Sequence, residues 1–387
     1  MEHFDVVVVG AGLVGAAVGF ELAGAGARTL VVEANRELAA GASRSNSGVL
    51  HTGFDSTPGT LETRMILEQG TRWRGIFDAL GVPYRIPGAL LVATDEAQLG
   101  RLPTLAANAR RNGVETRLLD AAQVKELEPG AAAVGGLLVP GEAITDPFEV
   151  VSRLLATGPE TRLNWPVRRV EQDGEKAVVT GASGSVSASF VVNCAGLYAD
   201  EVAGDTFSIS ARRGEFVVFA KGTAELVNHI LLPVPSEQTK GVLVFPTLHG
   251  HLCAGPSAVD QDDKEDWRPR QKELNVIREK AAALFPQVRS LEPVDAWAGL
   301  RPAGHPHNYI VAWSERTPSL LNVAGIRSTG LSACLGLSKY VLGLVSERGL
   351  ERRETEVVPQ AVSGEAAEMA MPWWERLNRL REVEGAC

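Results

Sequence analysis

At 387 residues, 45% apolar and 22% charged, the chain has an ordinary globular composition and is too long for one compact core. Its net charge of −9, with no long basic run, argues against nucleic acid as the main partner, so any anionic ligand must be held by a few local Arg or Lys residues. No uninterrupted apolar stretch of about 18 residues marks a transmembrane helix, and the four widely spaced cysteines, Cys194, Cys253, Cys334 and Cys387, give no zinc or iron–sulfur spacing and suit a reducing cytoplasm.

Asp5 to Val9 reads as a buried strand belonging to a nucleotide motif, not as a signal peptide. A helix from Leu13 to Ala25 follows, with Val14, Val18 and Leu22 at helical spacing, then a strand from Thr29 to Val32 closing at Glu33. The segment from Ala40 to Gly53 is a loop of small, hydrogen-bonding residues. Helical patterning runs from Leu61 to Leu80, a strand from Gly88 to Thr94, and a helix over 95–113. Pro140 to Asp146 reads as a loop, Pro147 to Leu155 as a helix, and Val167 to Val170 with Ala177 to Thr180 as a hairpin. Phe190 to Asn193 is a strand entering Cys194, Ala195 and Gly196. Strand-like patterning extends from Ala211 to Pro256, a helix over 269–285, a strand from Leu320 to Val323, a loop from Gly325 to Gly330, and a helix from Leu331 to Val345. A short helix from Pro372 to Val383 puts Trp373, Leu377 and Leu380 on one face, suited to docking on its own chain, on a second subunit, or on a membrane surface.

Parallel βα pieces at the start, middle and end, around an antiparallel block, predict an α/β fold with an α+β insertion: a discontinuous Rossmann-like domain carrying an antiparallel-sheet substrate domain. The expected boundaries are 1–85, 140–205 and 296–350 for the nucleotide domain, 86–139 and 206–295 for the substrate domain, and 351–387 for the tail.

Gly10, Gly12 and Gly15 form a GxGxxG turn after a strand and before a helix, which suits a pyrophosphate at the helix N-terminus, and Glu33 is placed to accept ribose hydroxyls. NAD and FAD share that fingerprint. Two further loops over the same sheet, 193–196 and 325–330, favour the longer FAD, whose ring needs a second holding point.

These residues resemble the D-amino-acid-oxidase superfamily of FAD enzymes (the glutathione-reductase-like fold), and within it the single-domain glycerol-3-phosphate dehydrogenases and oxidases and the L-2-hydroxyglutarate dehydrogenases. The likeness spans residue 5 to about 340. It is carried by Gly10 to Gly15 with Glu33, Ser43 to Gly53, Asp146 to Phe148, Asn193 to Gly196, Arg212 to Phe216, Gly255 and Pro256, Gly299 to Pro302, and Gly325 to Leu331. The resemblance implies non-covalent FAD touching Gly10, Gly12, Leu13, Val14, Gly15, Glu33, Ala34, Ser43, Arg44, Asn46, Ser47, Gly48, Val167, Ala195, Gly196, Arg301, Gly325, Arg327, Ser328, Thr329, Gly330 and Leu331. It implies His51, Arg301 and Arg327 at the reacting end, and loosely Lys264 as a substrate lysine. Two departures stand out: the Cys-rich [2Fe–2S] module of longer relatives has no counterpart spacing here, and Thr329 stands where relatives often show Pro.

Flavin oxidation of a secondary alcohol needs a base, a hydride acceptor, and cations for an anionic substrate. His51 suits the base, with flavin contact and packing as the other readings. Arg301 suits an anion clamp against a plain salt bridge, and Arg327 a ligand contact against a structural role. Lys264, among Asp260, Asp262, Asp263, Glu265 and Asp266, reads more simply as part of a solvated charged loop. His305 borders the expected substrate cavity. The pairs His249/His251 and His305/His307 lack the carboxylate a metal would want, so none is expected. The functional expectation is oxidation of sn-glycerol 3-phosphate to dihydroxyacetone phosphate, with an L-2-hydroxy acid, then an amine or amino acid, as alternatives, and a non-catalytic FAD sensor as the outlying class. Electrons would pass to oxygen, quinone or another carrier.

Overall fold

A computed structural model describes residues 1–204, 207–235, 241–305, 308–352 and 371–384. The expected sites at His307 and Cys387 lie outside these residues. In the first sheet, Glu2–Val9 runs parallel between Thr29–Val32 and Gly184–Asn193, with Val6 opposite Thr29 on one side and Phe190 on the other. Glu160–Arg162 extends the sheet beyond Thr29–Val32, and Leu320–Ala324 extends it beyond the upper half of Gly184–Asn193. Val6 to Val9 are all buried because both faces of this sheet are covered. Val6 and Val8 pack towards the helices Leu13–Gly24, Pro147–Leu155 and Gly330–Glu347. Val7 and Val9 pack towards the hairpin Val167–Asp173 and Lys176–Gly181 and towards Trp165.

The second, nine-stranded sheet is mostly antiparallel. Its long pair is Ser208–Lys221 with Pro293–His305, in register from Ser208 opposite His305 to Val218 opposite Asp295. The expected domain boundary at 296 therefore falls inside a strand of this sheet. A third, small sheet joins Val49–Leu50, Ala143–Thr145 and Tyr84–Arg85. The 140–146 segment, expected as a loop, thus contains a strand.

The helix expected over 61–80 is two, Leu61–Gly70 and Trp73–Leu80. Between them Arg72 turns inward, pairing with Glu21 at 2.8 Å and donating to the Leu335 carbonyl at 2.7 Å. The helix expected over 95–113 breaks at Gly100 into Glu96–Leu99 and Leu102–Arg111. The strands Arg117–Asp120 and Gly135–Val139, unread in sequence, pair beside Ala89–Ala93.

The C-terminal helix, Trp373–Glu384, docks on its own chain. Trp373, Trp374 and Leu377 are each about 1% exposed. Trp374 stacks on Trp297, and Trp297 on Phe216, at 5.3 and 4.5 Å between ring centroids. Among the described residues no helix is long and apolar enough to cross a membrane.

Candidate active site

The turn after Glu2–Val9 is built for close approach. Gly10 has φ +101°, and a Cβ there would lie 2.6 Å from the Cys194 carbonyl oxygen; at Gly15 it would lie 1.9 Å from the Gly10 oxygen. Gly12 faces Ser43, whose Oγ accepts the Leu13 N–H at 2.8 Å and caps the helix in place of a local side chain. Glu33, 8% exposed, accepts the Ala11 N–H at 2.8 Å on one oxygen and the Asn35 N–H at 3.0 Å on the other. A carboxylate has about four lone-pair sites, so acceptor capacity remains for a ligand hydroxyl.

These groups open on a cavity of about 650 Å³. Of the cofactor residues expected from sequence, Gly10, Gly12, Leu13, Val14, Glu33, Ala34, Ser43, Asn46, Val167, Ala195, Gly196, Gly325, Arg327 and Gly330 line it. Gly15, Arg44, Ser47, Gly48, Arg301, Ser328, Thr329 and Leu331 do not. Gly15 is packed behind the turn. Arg44 is fully buried, donating to Glu37 and the Leu38 carbonyl with its guanidinium over Phe148. Gly48 lies against Trp373. Trp165, Tyr198, Glu201, Glu265 and Trp267 also line the cavity without having been expected there; Tyr198 and Glu201 lie in the short helical turns Gly196–Tyr198 and Ala199–Ala203, the others in connecting segments. The glycine cradle, the Glu33 carboxylate and walls drawn from three distant chain segments fit a dinucleotide as long as FAD.

His51 follows the strand Val49–Leu50. Its backbone N–H donates to Ser332 Oγ, in the first turn of Gly330–Glu347, at 2.8 Å. Its Nδ1 lies 2.8 Å from Oε2 of Glu142, which is fully buried. The other oxygen, Oε1, accepts the Thr52 N–H at 2.7 Å and the Thr52 hydroxyl at 2.8 Å. Glu142 was not singled out from sequence. His51 opens on a second cavity, of about 320 Å³.

Arg301 sits in the long strand pair. Its guanidinium donates to three backbone carbonyls: Arg212 and Arg213 at 3.3 and 3.1 Å, and Ser257 at 2.5 Å. A side chain at Gly214 would strike it. Beneath it, fully buried Arg213 donates to Gln261, and Ser257 Oγ donates to fully buried Glu215. The Arg-Arg-Gly-Glu-Phe run is thus the floor on which Arg301 lies. Among the described residues Arg301 has no carboxylate within ion-pair distance. Burial, then the neighbouring Arg212, pushes its guanidinium down to about 10, still charged at neutral pH.

Arg327, with φ +46°, points into the cofactor cavity and lies 3.7 Å from Glu62. Thr329 Oγ1 donates to Glu62 at 2.7 Å and shares a 2.6 Å bond with the buried Tyr309 hydroxyl. The residue that departs from the family pattern therefore supplies a hydroxyl that proline lacks, and it holds a carboxylate beside Arg327. Lys264 is paired with Asp200 at 2.9 Å and with Glu201, over the ring of Tyr198, outside both cavity walls. His305 is exposed and bonded to Ser210, likewise away from both. His249 pairs with Asp146 at 2.9 Å, and His251 bonds the Phe219 carbonyl; both rings pack on Trp374. Among the described residues no group of three or more His, Cys, Asp or Glu could hold a metal ion. Burial pushes the Cys334 thiol up to about 12 and those of Cys194 and Cys253 well above the usual thiol value, which disfavours the thiolate in all three.

A family model described as FAD dependent oxidoreductase matches residues 5–344. A glycerol 3-phosphate dehydrogenase of Caloramator mitchellensis is 30% identical over 91% of this chain and 76% of its own. A glycerol 3-phosphate oxidase of Mycoplasma pneumoniae is 28% identical over 89% and 95%. An L-2-hydroxyglutarate dehydrogenase of Escherichia coli O17:K52:H18 (strain UMN026 / ExPEC) is 30% identical over 69% and 67%. Among solved structures, the dithionite-reduced L-alpha-glycerophosphate oxidase of Mycoplasma pneumoniae with FAD bound superposes with a TM-score of 0.85, at 26% identity, over 92% of this chain and 98% of that one.

Proposed function

Since the chain belongs to the FAD dependent oxidoreductase family, we propose that its substrate is sn-glycerol 3-phosphate, oxidised at the secondary hydroxyl to dihydroxyacetone phosphate. The observation that carries this choice is extent: the likeness to glycerol 3-phosphate enzymes runs over nearly the whole chain, that to L-2-hydroxyglutarate dehydrogenase over about two-thirds. The second reading, an L-2-hydroxy acid, keeps the same chemistry with a carboxylate in place of the phosphate.

Bound FAD supplies the acceptor for the hydride leaving the carbinol carbon. Gly10, Gly12, Glu33, Ser43, Asn46, Gly196 and Gly325 would hold it, as residues of the cavity wall. His51 takes the hydroxyl proton, an imidazole being able to accept one near neutral pH. Arg301, partly buried and without a carboxylate partner among the described residues, is the cation with charge to spare for an anionic substrate. Arg327 shares its charge with Glu62 and serves as the second, weaker cation.

The test is anaerobic. The visible spectrum of the purified, FAD-loaded protein is recorded, and glycerol 3-phosphate and L-2-hydroxyglutarate are added in separate cuvettes. Bleaching of the flavin band by glycerol 3-phosphate alone supports the reading. Bleaching only by L-2-hydroxyglutarate transfers it to the second substrate, and bleaching by neither overturns both.

A further inference from the structure

We propose that Glu142 is a positioning residue for the base: it holds His51 in the Nδ1–H tautomer, turns Nε2 to the substrate hydroxyl, and balances the charge when the proton arrives. This rests on the reading of His51 as base.

The geometry begins in the small sheet. Leu50 lies opposite Ala143 in an antiparallel ladder, so the next residues outward on the two strands are His51 and Glu142. Register alone brings them together. Glu142 is buried, and its Oε1 already receives two donors, the Thr52 N–H and hydroxyl. An ionised carboxylate only accepts, and a buried one is costly unless every oxygen meets a donor. Oε2 has His51 Nδ1 at 2.8 Å, so the ring nitrogen on that side carries the proton. Of the two ring nitrogens, Nε2 is then the one without a proton, the acceptor in the proposed step. The bond from the His51 N–H to Ser332 anchors the backbone beneath the ring.

In the reaction the substrate O–H bond breaks and its proton goes to Nε2. The carbinol C–H electron pair would leave as hydride, with bound FAD as its acceptor, and the C=O bond would form in the same step. The imidazolium and the Glu142 carboxylate are then a neutral pair, with the Nδ1 proton unmoved. The Nε2 proton afterwards returns to water; His51 lines the second cavity. Among the described residues lining that cavity, two are charged besides His51's partner Glu142. Glu142 lies behind the ring, Trp73–Leu80 contributes Arg74, and the segment after Leu102–Arg111 contributes Glu115. The described lining residues from Leu61–Gly70 and Gly330–Glu347 are neutral, Gln69 and Ser332 among them.

Two measurements test this. The first is nitrogen-15 NMR of histidine-labelled, FAD-free protein, with the His51 signals identified by their loss in His51→Asn. Above its titration, wild-type His51 should be the Nδ1–H tautomer. An Nε2–H tautomer, which a protonated Glu142 donating to the ring would impose, overturns the proposal. The second is Glu142→Gln with FAD loaded. Its plateau kcat should fall about 10²-fold, the low end of what a positioned general base supplies. The acid limb of its kcat/KM profile should move to lower pH by about one pH unit, because the nearby negative charge is gone. An unmoved limb with unchanged kcat overturns the proposal, as does a uniform loss at every pH. If Glu142→Gln does not fold, the wild-type tautomer decides. His51→Asn separates the two readings: full activity removes His51 as base, whereas a slow His51→Asn with the wrong wild-type tautomer removes only Glu142.

Discussion

Replacing Arg301 with methionine keeps most of the side chain's length and removes its charge. Among the described residues that charge is met by the carbonyls of Arg212, Arg213 and Ser257. If it also holds the substrate's anionic end, the lost interaction is a hydrogen bond to a charged group, worth about 1.5–3 kcal/mol. At about 1.4 kcal/mol per factor of ten, that is roughly a 10- to 150-fold rise in KM. The carbonyls lose their donors too, so stability should fall by about 1–3 kcal/mol, measured in parallel by urea unfolding. Steady-state kinetics with glycerol 3-phosphate and with glycerol, which lacks the phosphate, separate the two effects. Arg301→Met should lose efficiency on the phosphate ester and little on glycerol. In the wild type, KM for the ester should rise as pH passes about 10, where the guanidinium begins to lose its proton, and this rise should vanish in the variant. Equal losses on both substrates, or an unchanged KM, would refute the assignment and leave Arg301 as a brace for the sheet.

Gly12→Val places a branched side chain where even a Cβ would lie 2.8 Å from Ser43 Oγ. It should purify folded by circular dichroism but colourless, and a normal flavin-to-protein absorbance ratio would contradict the cradle. Trp374→Ala removes a ring buried against Trp297, Trp373, His249 and His251. It should cost about 3–5 kcal/mol in urea unfolding, and a loss below 1 kcal/mol would mean the helix contributes little to the fold. Asp266 is held at about 2, first by its hydrogen bond to Arg270 and then by Arg268. A depressed carboxylate contributes stability above its ordinary value near 4, lost as pH falls towards 2. Thermal midpoints should therefore drop across that window in the wild type and drop less in Asp266→Asn.

The nucleotide half was legible because its signals are local: strand, GxGxxG, helix and acid follow one another within the first βαβ unit, and each has one physical reason to be there. The C-terminal helix was legible from the spacing of Trp373 and Leu377, though whether it faced its own chain or something else was not. What escaped is set by register and long-range contact. Glu142 has no motif; it matters only because Ala143 falls opposite Leu50. Tyr198 and Trp267 reach the cavity from segments whose composition is that of any loop. The run from Leu61 to Leu80 looks like one helix because its break is made by Arg72 reaching Glu21 and Leu335, partners invisible to periodicity. Lys264 shows the reverse: family likeness suggested a substrate lysine, and its surroundings give it Asp200 and Glu201 instead.

The order of strands in the first sheet has a consequence for how the protein is made. Gly184–Asn193 pairs with Glu2–Val9 on one edge and, at its upper end, with Leu320–Ala324. Such pairings have high contact order and close slowly, since loop-closure entropy is spent before they form. The FAD cavity draws its walls from all three regions, so the cofactor meets a finished pocket only after the chain's distant parts have come together. Once in, it resists their separation: a ligand bound only by the folded form raises the unfolding free energy with the logarithm of its free concentration. FAD is thus a late fastener of the fold as well as the reagent it carries, and the supply of riboflavin during synthesis would govern how much of the chain survives as folded protein.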